Sequence, residues 1–381
     1  LVFAVPGLGP SRHCLMVVAS PDEADARPID QDAIAAALQA ASLAGHFPSV
    51  LDSGCKGSAG PGPLWRKPLG LLYDLDVWDS TLETVEREFG PGCRHTLAVK
   101  GTAVGPMLRR AVEKGFGLEC ASLGEALHAQ AVGCPAQLIV FDSPCKTRSE
   151  LAYALKQGLH LNVDSLEELA RLAQIRESLA AEMPEGHKTG TVGLRLNPLC
   201  GAGEIADLSV SVSDSKFGVA GSEEAEILAA FKAHPWLCGL HVHVGSGAMG
   251  LPVLVEGVKA CCDLAARINL HVGRRQVTVM DIGGGLHPDY RSDTRPPFAE
   301  YAALLRKAIP GLLPGEGEEA LFDVVVTEFG QALSAKTGFL ASRLEYVKEV
   351  RSQGGKAQIA VGHFGADLCV RQCYTKDHKR R

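Results

Sequence analysis

Eight apolar segments rich in β-branched residues recur between positions 96 and 327, and stretches with the period of an α-helix separate most of them. A strand followed by a helix that returns the chain predicts parallel strands in one sheet. The predicted strands are Thr96–Lys100, Phe116–Cys120, Gln137–Phe141, Leu159–Val163, Thr191–Asn197, Leu237–Val244, Gln276–Ile282 and Phe322–Thr327. Eight such units form a closed (β/α)8 barrel, whereas an open doubly wound sheet gives no reason to stop at eight. The pattern therefore favours an α/β barrel.

Six stretches of helical period lie between the strands. Three of them open with Ser122, Thr147 or Ser165, each followed three residues later by Glu. This spacing is typical of a capping box, in which the two side chains satisfy backbone N–H groups at the helix start. The predicted helices are Ser122–Val132, Thr147–Gln157, Ser165–Ile175, Glu223–His234, Leu251–Ile268 and Phe298–Ile309.

The chain changes character on either side of the barrel region. Residues 1–69 contain several Pro and small residues without a clear period, so we expect a poorly defined N-terminal segment. Residues 70–335 form the predicted barrel region, which opens with a strand and a helix. Residues 336–381 predict two strands joined by a turn at Gly354–Gly355. We expect both ends of the chain to contribute to a second, β-rich domain that is incomplete because the chain stops early.

Composition excludes two classes of function. The net charge is −6, so no basic surface for nucleic acid is expected. No apolar run approaches the length of a membrane span. The 12 cysteines include no C-x-x-C pair and no zinc-binding spacing, so we expect free thiols in a reducing compartment. That compartment is the cytoplasm or, as an alternative, a plastid.

Polar residues cluster where the barrel strands are predicted to end, which is where barrels of this kind carry their chemistry. They are Lys100, Glu119, Arg195, His241, His243, Ser246, the segment "DIGGGL" from Asp281 to Leu286, Glu328 and Gln331. Taken alone, Lys100 is equally compatible with a side chain whose stem is buried and whose ammonium lies in water. A buried Arg195 needs an acidic partner, and Glu119 is the candidate. His241 and His243 alternate on one strand, but no third ligand has suitable spacing, so no metal is predicted.

Three of these features indicate one cofactor. Glycine-rich backbone after the seventh and eighth strands of a barrel commonly binds phosphate through free N–H groups. A lysine such as Lys100 forms a Schiff base with an aldehyde once its amine is deprotonated. A carboxylate such as Glu328 would hold a pyridine nitrogen protonated. The cofactor that combines phosphate, aldehyde and pyridine is pyridoxal 5'-phosphate.

Six motifs then carry a family resemblance. "AVKGT", "GLECASLGE", "SKFG", "GLHVHVGSG", "DIGGGL" and "TEFGQ" stand in the order seen in the fold-type III pyridoxal phosphate decarboxylases. Over roughly residues 70–375 the chain resembles this family, which includes diaminopimelate, ornithine and arginine decarboxylases, and the diaminopimelate branch is the most similar. The resemblance implies an alanine racemase-like barrel followed by a β-sandwich. It also implies a homodimeric lyase of lysine or polyamine biosynthesis that decarboxylates a diamino or other basic amino acid.

The resemblance also implies roles for single residues. Lys100 resembles the lysine that holds the cofactor as a Schiff base, and His243 the histidine stacked on the pyridine ring. Glu328 resembles the acid paired with the ring nitrogen, while Glu119 and Arg195 match positions that support the ring and this acid. The positions similar to phosphate-binding residues are Ser246, Gly283, Gly284 and Gly285, and weaker matches to substrate-binding residues are Arg371 and Tyr374.

Two departures from the family pattern bear on activity. Gln331 stands where the family has an arginine, and it lacks the charge and the bidentate fork of that residue. Arg371 precedes Tyr374 by three residues, one fewer than usual, and the cysteine that family members extend to the partner's active site is missing. We therefore expect a truncated chain. The alternatives are a catalytically silent homologue that regulates a partner by dimerising, or an amino-acid racemase.

Overall fold

The computed structural model describes residues 69–180, 189–201, 211–246, 250–289, 294–315, 318–342, 344–352, 355–363 and 365. The N-terminal segment predicted for residues 1–69, apart from Leu69, lies outside these residues. So do the two weak substrate-binding matches, Arg371 and Tyr374. One compact unit comprises Asp76–Pro288 and Pro296–Lys336. The described strands before residue 75 and after residue 337 belong to a second unit.

Strands and helices alternate along the described chain. The strands are β1 (Leu69–Tyr73), β2 (Cys93–Ala98), β3 (Gly117–Cys120), β4 (Ile139–Asp142), β5 (His160–Val163), β6 (Val192–Asn197), β7 (Val219–Ala220), β8 (Leu237–Val242), β9 (Val279–Asp281), β10 (Val324–Phe329), β11 (Gly338–Ser342), β12 (Leu344–Ser352) and β13 (Gly355–Gly362). The helices are α1 (Leu75–Phe89), α2 (Gly105–Glu113), α3 (Leu123–Ala131), α4 (Arg148–Gln157), α5 (Leu166–Ala180), α6 (Glu224–Ala233), α7 (Leu251–Val272), α8 (Phe298–Ala308) and α9 (Gln331–Ser334). Single 3-10 turns cover Val99–Gly101, Ala136–Leu138 and Gly221–Glu223.

Eight of these strands form a closed parallel barrel. The strand order is β5-β4-β3-β2-β10-β9-β8-β6, and β6 pairs with β5 to close the ring. The short β7 adds to β6 as a ninth strand. Each predicted strand overlaps one of the eight, so the predicted (β/α)8 barrel is confirmed. The strands of such a barrel are covered by helices outside and by side chains inside, which explains why every residue of β3, β4, β5 and β6 is buried.

The predicted helix caps are present, with one difference. Thr147 forms the complete capping box at the start of α4. Before α3, the Ser122 hydroxyl accepts from the Glu125 N–H, but the Glu125 carboxylate accepts from the N–H of Ala121, one residue before the cap. The helix after Ser165 has the same arrangement. The carboxylate therefore also fixes the end of the preceding strand–helix loop.

The second unit contains strands from both sides of the barrel sequence. β1 pairs antiparallel with β11, and β12 pairs antiparallel with β13. The predicted two strands joined by a turn are present as β12 and β13, but the described part of the segment also contains β11, which pairs with β1 instead of entering the hairpin.

Two further findings concern the described part of the chain. None of its helices combines the length and the apolar character needed to cross a membrane. Its cysteines are free thiols, and they are Cys93, Cys120, Cys134, Cys145, Cys200, Cys238, Cys261 and Cys262.

Candidate active site

The barrel interior carries a layer of buried polar side chains towards the C-terminal ends of its strands. Register explains how they meet, because residues aligned across parallel strands project on the same side of the sheet. Arg195 on β6 is aligned with His241 on β8, which is aligned with Asp281 on β9. The layer consists of Glu119, Asp142, Asn162, Arg195, His241, Asp281 and Glu328, all of them buried. Most barrels fill this region with branched apolar residues, so the layer marks a site.

Lys100 lies just beyond β2, in the turn Val99–Gly101, and so not in the strand that the sequence predicted it to end. Its side chain is 57% exposed, whereas Glu119 on β3 is 1% exposed. The Lys100 ammonium donates a hydrogen bond to Oε2 of Glu119. Burial disfavours this ammonium, but the carboxylates of Glu119, Glu328 and Asp142 outweigh burial and raise the pKa of Lys100. Lys100 is therefore a charged amine that solvent and ligands can reach.

Glu119 is the acid that Lys100 contacts, and its protonation state depends on burial. Burial raises the pKa of Glu119 to about 8, against the opposing effect of Lys100. With that pKa, Glu119 is partly protonated near neutral pH, and only its ionised form can accept the ammonium proton. The raised pKa of Lys100 keeps that proton mainly on the amine.

His241 lies between two carboxylates in the centre of the barrel. Its Nε2 is 3.3 Å from Oε2 of Glu328, and its Nδ1 is 3.7 Å from Oδ1 of Asp142. Burial alone would lower the pKa of His241, but the carboxylates of Glu328, Asp142 and Asp281 raise it to about 9. Conversely, the charge on His241 outweighs the burial of Glu328 and lowers the pKa of that acid below its usual range. The structure thus favours an imidazolium beside an ionised Glu328.

Asp142, His241 and Glu328 each place one possible metal ligand within 4.8 Å of the others. The sequence showed no third ligand for the histidine pair, and the fold supplies two carboxylates from distant strands. The two ring nitrogens of His241, however, face different carboxylates. A metal ion bound to one ring nitrogen would lie beside one carboxylate, and the other carboxylate would remain on the opposite side of the ring. The arrangement suits a protonated imidazole between two acids better than a shared metal ion.

Arg195 has partners that the sequence did not predict. Its Nη1 lies 3.1 Å from Oδ2 of Asp142 and 3.6 Å from Oδ1 of Asp164, so the expected pairing with Glu119 was wrong. Its guanidinium also stacks over the ring of Phe217, at 4.5 Å from the ring centre. Phe217 belongs to the "SKFG" motif, whose glycine N–H donates to Asp164. Arg195 therefore fixes this loop against the barrel.

His243 lies just past β8 and is held at both ring nitrogens. Its Nδ1 accepts a hydrogen bond from the N–H of Gly284 at 3.2 Å, and its Nε2 is 3.0 Å from Oγ of Ser246. A nitrogen that accepts carries no proton, so the proton of the neutral ring is on Nε2 and is donated to Ser246. Burial and the nearby Arg195 lower the pKa of His243 to about 3. His243 is therefore a neutral imidazole in a fixed orientation.

The triglycine turn after β9 requires glycine for space and for backbone conformation. Gly283 and Gly285 have φ of 64° and 100°, in the left-handed region. A Cβ on Gly284 would lie 2.4 Å from the carbonyl oxygen of Glu328. The Gly283 N–H donates to Asp281, and the Gly284 N–H donates to His243. Free N–H groups in this glycine-rich backbone were expected for a phosphate, but the N–H groups of Gly283 and Gly284 are bonded within the protein.

Sequence reasoning missed Asp142 and Asn162 in this layer, and it named His241 without predicting its role. Asp142 is the last residue of β4, but the predicted strand ended one residue earlier, so it was not counted among the strand ends. His241 was noted, but its role could not be predicted, since its two partners come from β4 and β10. An acid directly after an apolar run was the available signal for Asp142. Gln331 is half-buried and begins α9, directly after β10.

One orphaned atom tests whether the site fits pyridoxal phosphate. Oε1 of Glu328 is buried and has no hydrogen-bond partner in the described part of the protein. A buried carboxylate oxygen without a donor is costly, so a ligand that donates a hydrogen bond there would be stabilised. A protonated pyridine nitrogen is such a donor. Together with a reachable lysine and a turn without Cβ atoms, this oxygen fits the cofactor.

Comparisons with known proteins agree with this chemistry. Residues 79–335 match the family model described as pyridoxal-dependent decarboxylase, pyridoxal binding domain. The diaminopimelate decarboxylase of Bacteroides thetaiotaomicron is 29% identical over 322 residues, which are 81% of this chain and 76% of that protein. The enzyme of the same name from Pseudomonas aeruginosa is 30% identical over 257 residues, which are 66% of this chain and 57% of that protein. The chain thus spans little more than half of the second relative.

Solved structures show the same fold. The diaminopimelate decarboxylase of Helicobacter pylori complexed with L-lysine aligns with a TM-score of 0.67 at 23% identity, over 81% of this chain and 73% of that one. The ornithine decarboxylase of Entamoeba histolytica aligns with a TM-score of 0.59 at 21% identity, over 78% of this chain and 76% of that one.

Proposed function

The chain belongs to the pyridoxal-dependent decarboxylase family, and from that premise we propose that it decarboxylates an amino acid with Lys100 as the residue that binds the cofactor covalently. The observation that carries the proposal is the set of groups that meet at the C-terminal end of the barrel. A reachable Lys100 and the unpartnered Oε1 of Glu328 lie in one site with the triglycine turn. These are the groups that the aldehyde, the ring nitrogen and the phosphate would need.

The residues that would hold the cofactor divide by the part they bind. Lys100 takes the aldehyde carbon, Glu328 the ring nitrogen, and neutral His243 the face of the ring. Ser246 and the turn that ends at Gly285 lie where the phosphate is expected. Pyridoxal phosphate, when bound, supplies an electron sink for the bond that breaks as carbon dioxide leaves.

The protein's own part is to place protons and charge. Lys100 attacks an aldehyde only as a neutral amine, and Glu119 in its ionised form is the acceptor that the ammonium already contacts. Glu328 stays ionised because the charged His241 lies 3.3 Å from it. A fixed negative charge at that position stabilises positive charge opposite it without reorganisation during the reaction.

The proposed substrate is diaminopimelate or another basic or diamino acid. Support comes from the relatives, which are diaminopimelate decarboxylases, one of them solved with L-lysine. The acidic barrel interior also favours a ligand that brings an amine. Assembly as a homodimer and a cytoplasmic location stay predictions, as do substrate contacts at Arg371 and Tyr374.

Gln331 supports a second candidate, a relative that binds the cofactor without turnover. The family pattern has an arginine at this position, and a neutral amide cannot form its bidentate ion pair with a phosphate or carboxylate. A chain that retains Lys100 but has lost this charge could hold the cofactor and fail to turn over substrate.

One experiment separates these candidates. Pyridoxal phosphate is added to the wild-type chain, to Lys100→Ala and to Lys259→Ala, whose lysine forms an exposed ion pair with Asp263. We expect the absorption band of lysine-bound cofactor in the wild type and the Lys259 control, and its loss in Lys100→Ala. Carbon dioxide release is then measured with meso-diaminopimelate, ornithine, arginine and lysine. No band in the wild type would overturn the proposal, and a band without carbon dioxide would favour the silent relative.

A further inference from the structure

His241 is a buried ionisable residue that the proposed function connects only with Glu328. It lies in β8 with no exposed surface, between Arg195 on β6 and Asp281 on β9 in the strand register. Neither ring nitrogen has a hydrogen-bond partner of normal geometry among the described residues. Its nearest ionic partners are the two carboxylates at 3.3 and 3.7 Å.

The charges that face His241 come from every strand around it. Asp142, Asp281 and Glu328 provide carboxyl groups from β4, β9 and β10, and Arg195 provides the cation on β6. Burial raises the pKa of Asp281, whose two oxygens accept from Gly283 and Asn162, so this acid is drawn towards its neutral form. The negative charge of the layer therefore rests mainly on the two acids beside His241.

Arg195 cannot neutralise both of these acids. Its guanidinium is committed to Asp142 and Asp164 and lies over Phe217. Lys100, the other nearby cation, donates to Glu119. In the described part of the site, His241 is then the cation that remains beside Glu328.

We propose that His241 is a positioning residue: as an imidazolium it joins Asp142 to Glu328, holds Oε2 of Glu328 and leaves Oε1 for the ring nitrogen of the cofactor. The role of Oε1 toward the cofactor rests on the proposed function. The charge bridge, by which we mean the imidazolium of His241 between Asp142 and Glu328, does not. The bridge fixes one oxygen of Glu328 and keeps the acid ionised inside a barrel where burial would otherwise protonate it.

Removal of His241 should therefore act through Glu328. A buried Glu328 without its cation takes up a proton, and a protonated acid no longer pairs as an anion with a protonated ring nitrogen. Cofactor affinity should fall near neutral pH and recover as the pH rises. The loss should be about tenfold for each pH unit between the working pH and the new pKa of Glu328.

The test compares His241→Gln with His160→Gln in the full chain. His160 is a matched control, because it is a buried barrel histidine whose nitrogens lie next to Thr191 and Asn162 rather than a carboxylate. Histidine side chains labelled with ¹⁵N are followed by NMR from pH 6 to 10 without cofactor. The dissociation constant for pyridoxal phosphate is then measured at each pH.

We expect one imidazolium signal that persists above pH 8 and is lost in His241→Gln but kept in His160→Gln. We also expect weaker cofactor binding in His241→Gln, with an affinity that increases with pH, and little pH dependence in the control. If His241→Gln does not fold, Asp142→Asn serves instead, and the imidazolium signal should then titrate at a lower pH.

Each result has a separate meaning. A neutral His241 at pH 7, or an affinity lowered equally at every pH, would overturn the charge bridge. If the wild type shows the imidazolium but binds no cofactor, the bridge stands and the proposed function fails. If the wild type binds cofactor and His241→Gln binds it equally well at every pH, the positioning role fails while the function stands.

Discussion

Among the single residues of the barrel, two side chains of the same type favour opposite protonation states. Burial raises the pKa of Glu119 to about 8, while the neighbouring imidazolium lowers that of Glu328. The pKa of His241 is about 9 and the pKa of His243 is about 3, although only one residue separates them. Burial sets the direction for Glu119 and His243, whereas neighbouring charges reverse it for Glu328 and His241.

Gly284 should tolerate a side chain poorly in stability experiments, although it lacks the positive φ of Gly283 and Gly285. In Gly284→Ala the new Cβ would lie 2.4 Å from the Glu328 carbonyl oxygen, so the backbone of β10 must shift. We expect a loss of about 1–3 kcal/mol in the free energy of unfolding, together with weaker cofactor binding. Urea unfolding and a cofactor titration measure the two effects.

Gly92→Ala is the control for this prediction. A Cβ at Gly92 meets no atom within 4 Å, and this residue has no positive φ. A change of a few tenths of a kcal/mol is expected there. Equal stability of Gly284→Ala and the wild type would show that the turn can move away from β10.

At the scale of elements, the strand–helix loops are fixed by short polar contacts at the helix starts. Three helices begin with a Ser or Thr cap, and the carboxylate three residues later closes the loop from the other side. After β5 this carboxylate is Glu168, which also lies 3.1 Å from the buried Lys146. Lys146 in turn donates to two backbone carbonyls, so cap, loop and strand end form one connected unit.

Thr147→Ala should destabilise the barrel through α4. The substitution removes the acceptor for the Glu150 N–H and the hydroxyl that donates to the Glu150 carboxylate. We expect a loss of about 1 kcal/mol in the free energy of unfolding. Ser178→Ala is the control, because this exposed hydroxyl bonds to a carbonyl within α5 and should contribute little. Chemical denaturation of both variants gives the comparison, and a similar loss in both would contradict the prediction.

At the scale of the whole molecule, buried ionisable groups make stability depend on pH in both directions. His241 has its pKa raised from 6.5 to about 9, so its contribution is complete below 6.5 and is lost as the pH rises through 9. His95 and His160 have theirs lowered to about 4, so their contribution is present above 6.5 and is lost as the pH falls through 4. Glu119, whose pKa is raised from 4.5 to about 8, adds to the loss of stability as the pH rises. Together these groups predict greatest stability near neutral pH.

The free energy of unfolding of the cofactor-free chain should therefore fall on both sides of neutrality. The expected slope is about 1.4 kcal/mol per pH unit for each proton whose binding differs between the folded and unfolded states. Urea denaturation between pH 4 and 10 measures it. His160→Gln should flatten the acid side. In His241→Gln the alkaline fall should begin at a lower pH, because Glu328 without its cation is protonated in the folded state and must lose that proton as the pH rises. A profile that His241→Gln leaves unchanged would contradict the assignment of the alkaline side to His241.

The sequence by itself determined the barrel and most of the residues at its mouth. Eight apolar runs separated by helices allow few arrangements, because each strand must bury both faces and each helix must return the chain to the same end. Lys100, His243 and Glu328 could be named because each stands at or just after the end of such a run. Local pattern also located the helix caps, since a capping box lies within four residues.

Only the tertiary structure decided which of these residues meet. Arg195 pairs with Asp142 and Asp164 instead of Glu119, and Glu119 pairs with Lys100. His241 becomes an ionic bridge because strands from positions 142 and 328 close around it. The physical reason is that charge interactions depend on distance in space and on burial, and neither is encoded in the spacing of residues along the chain.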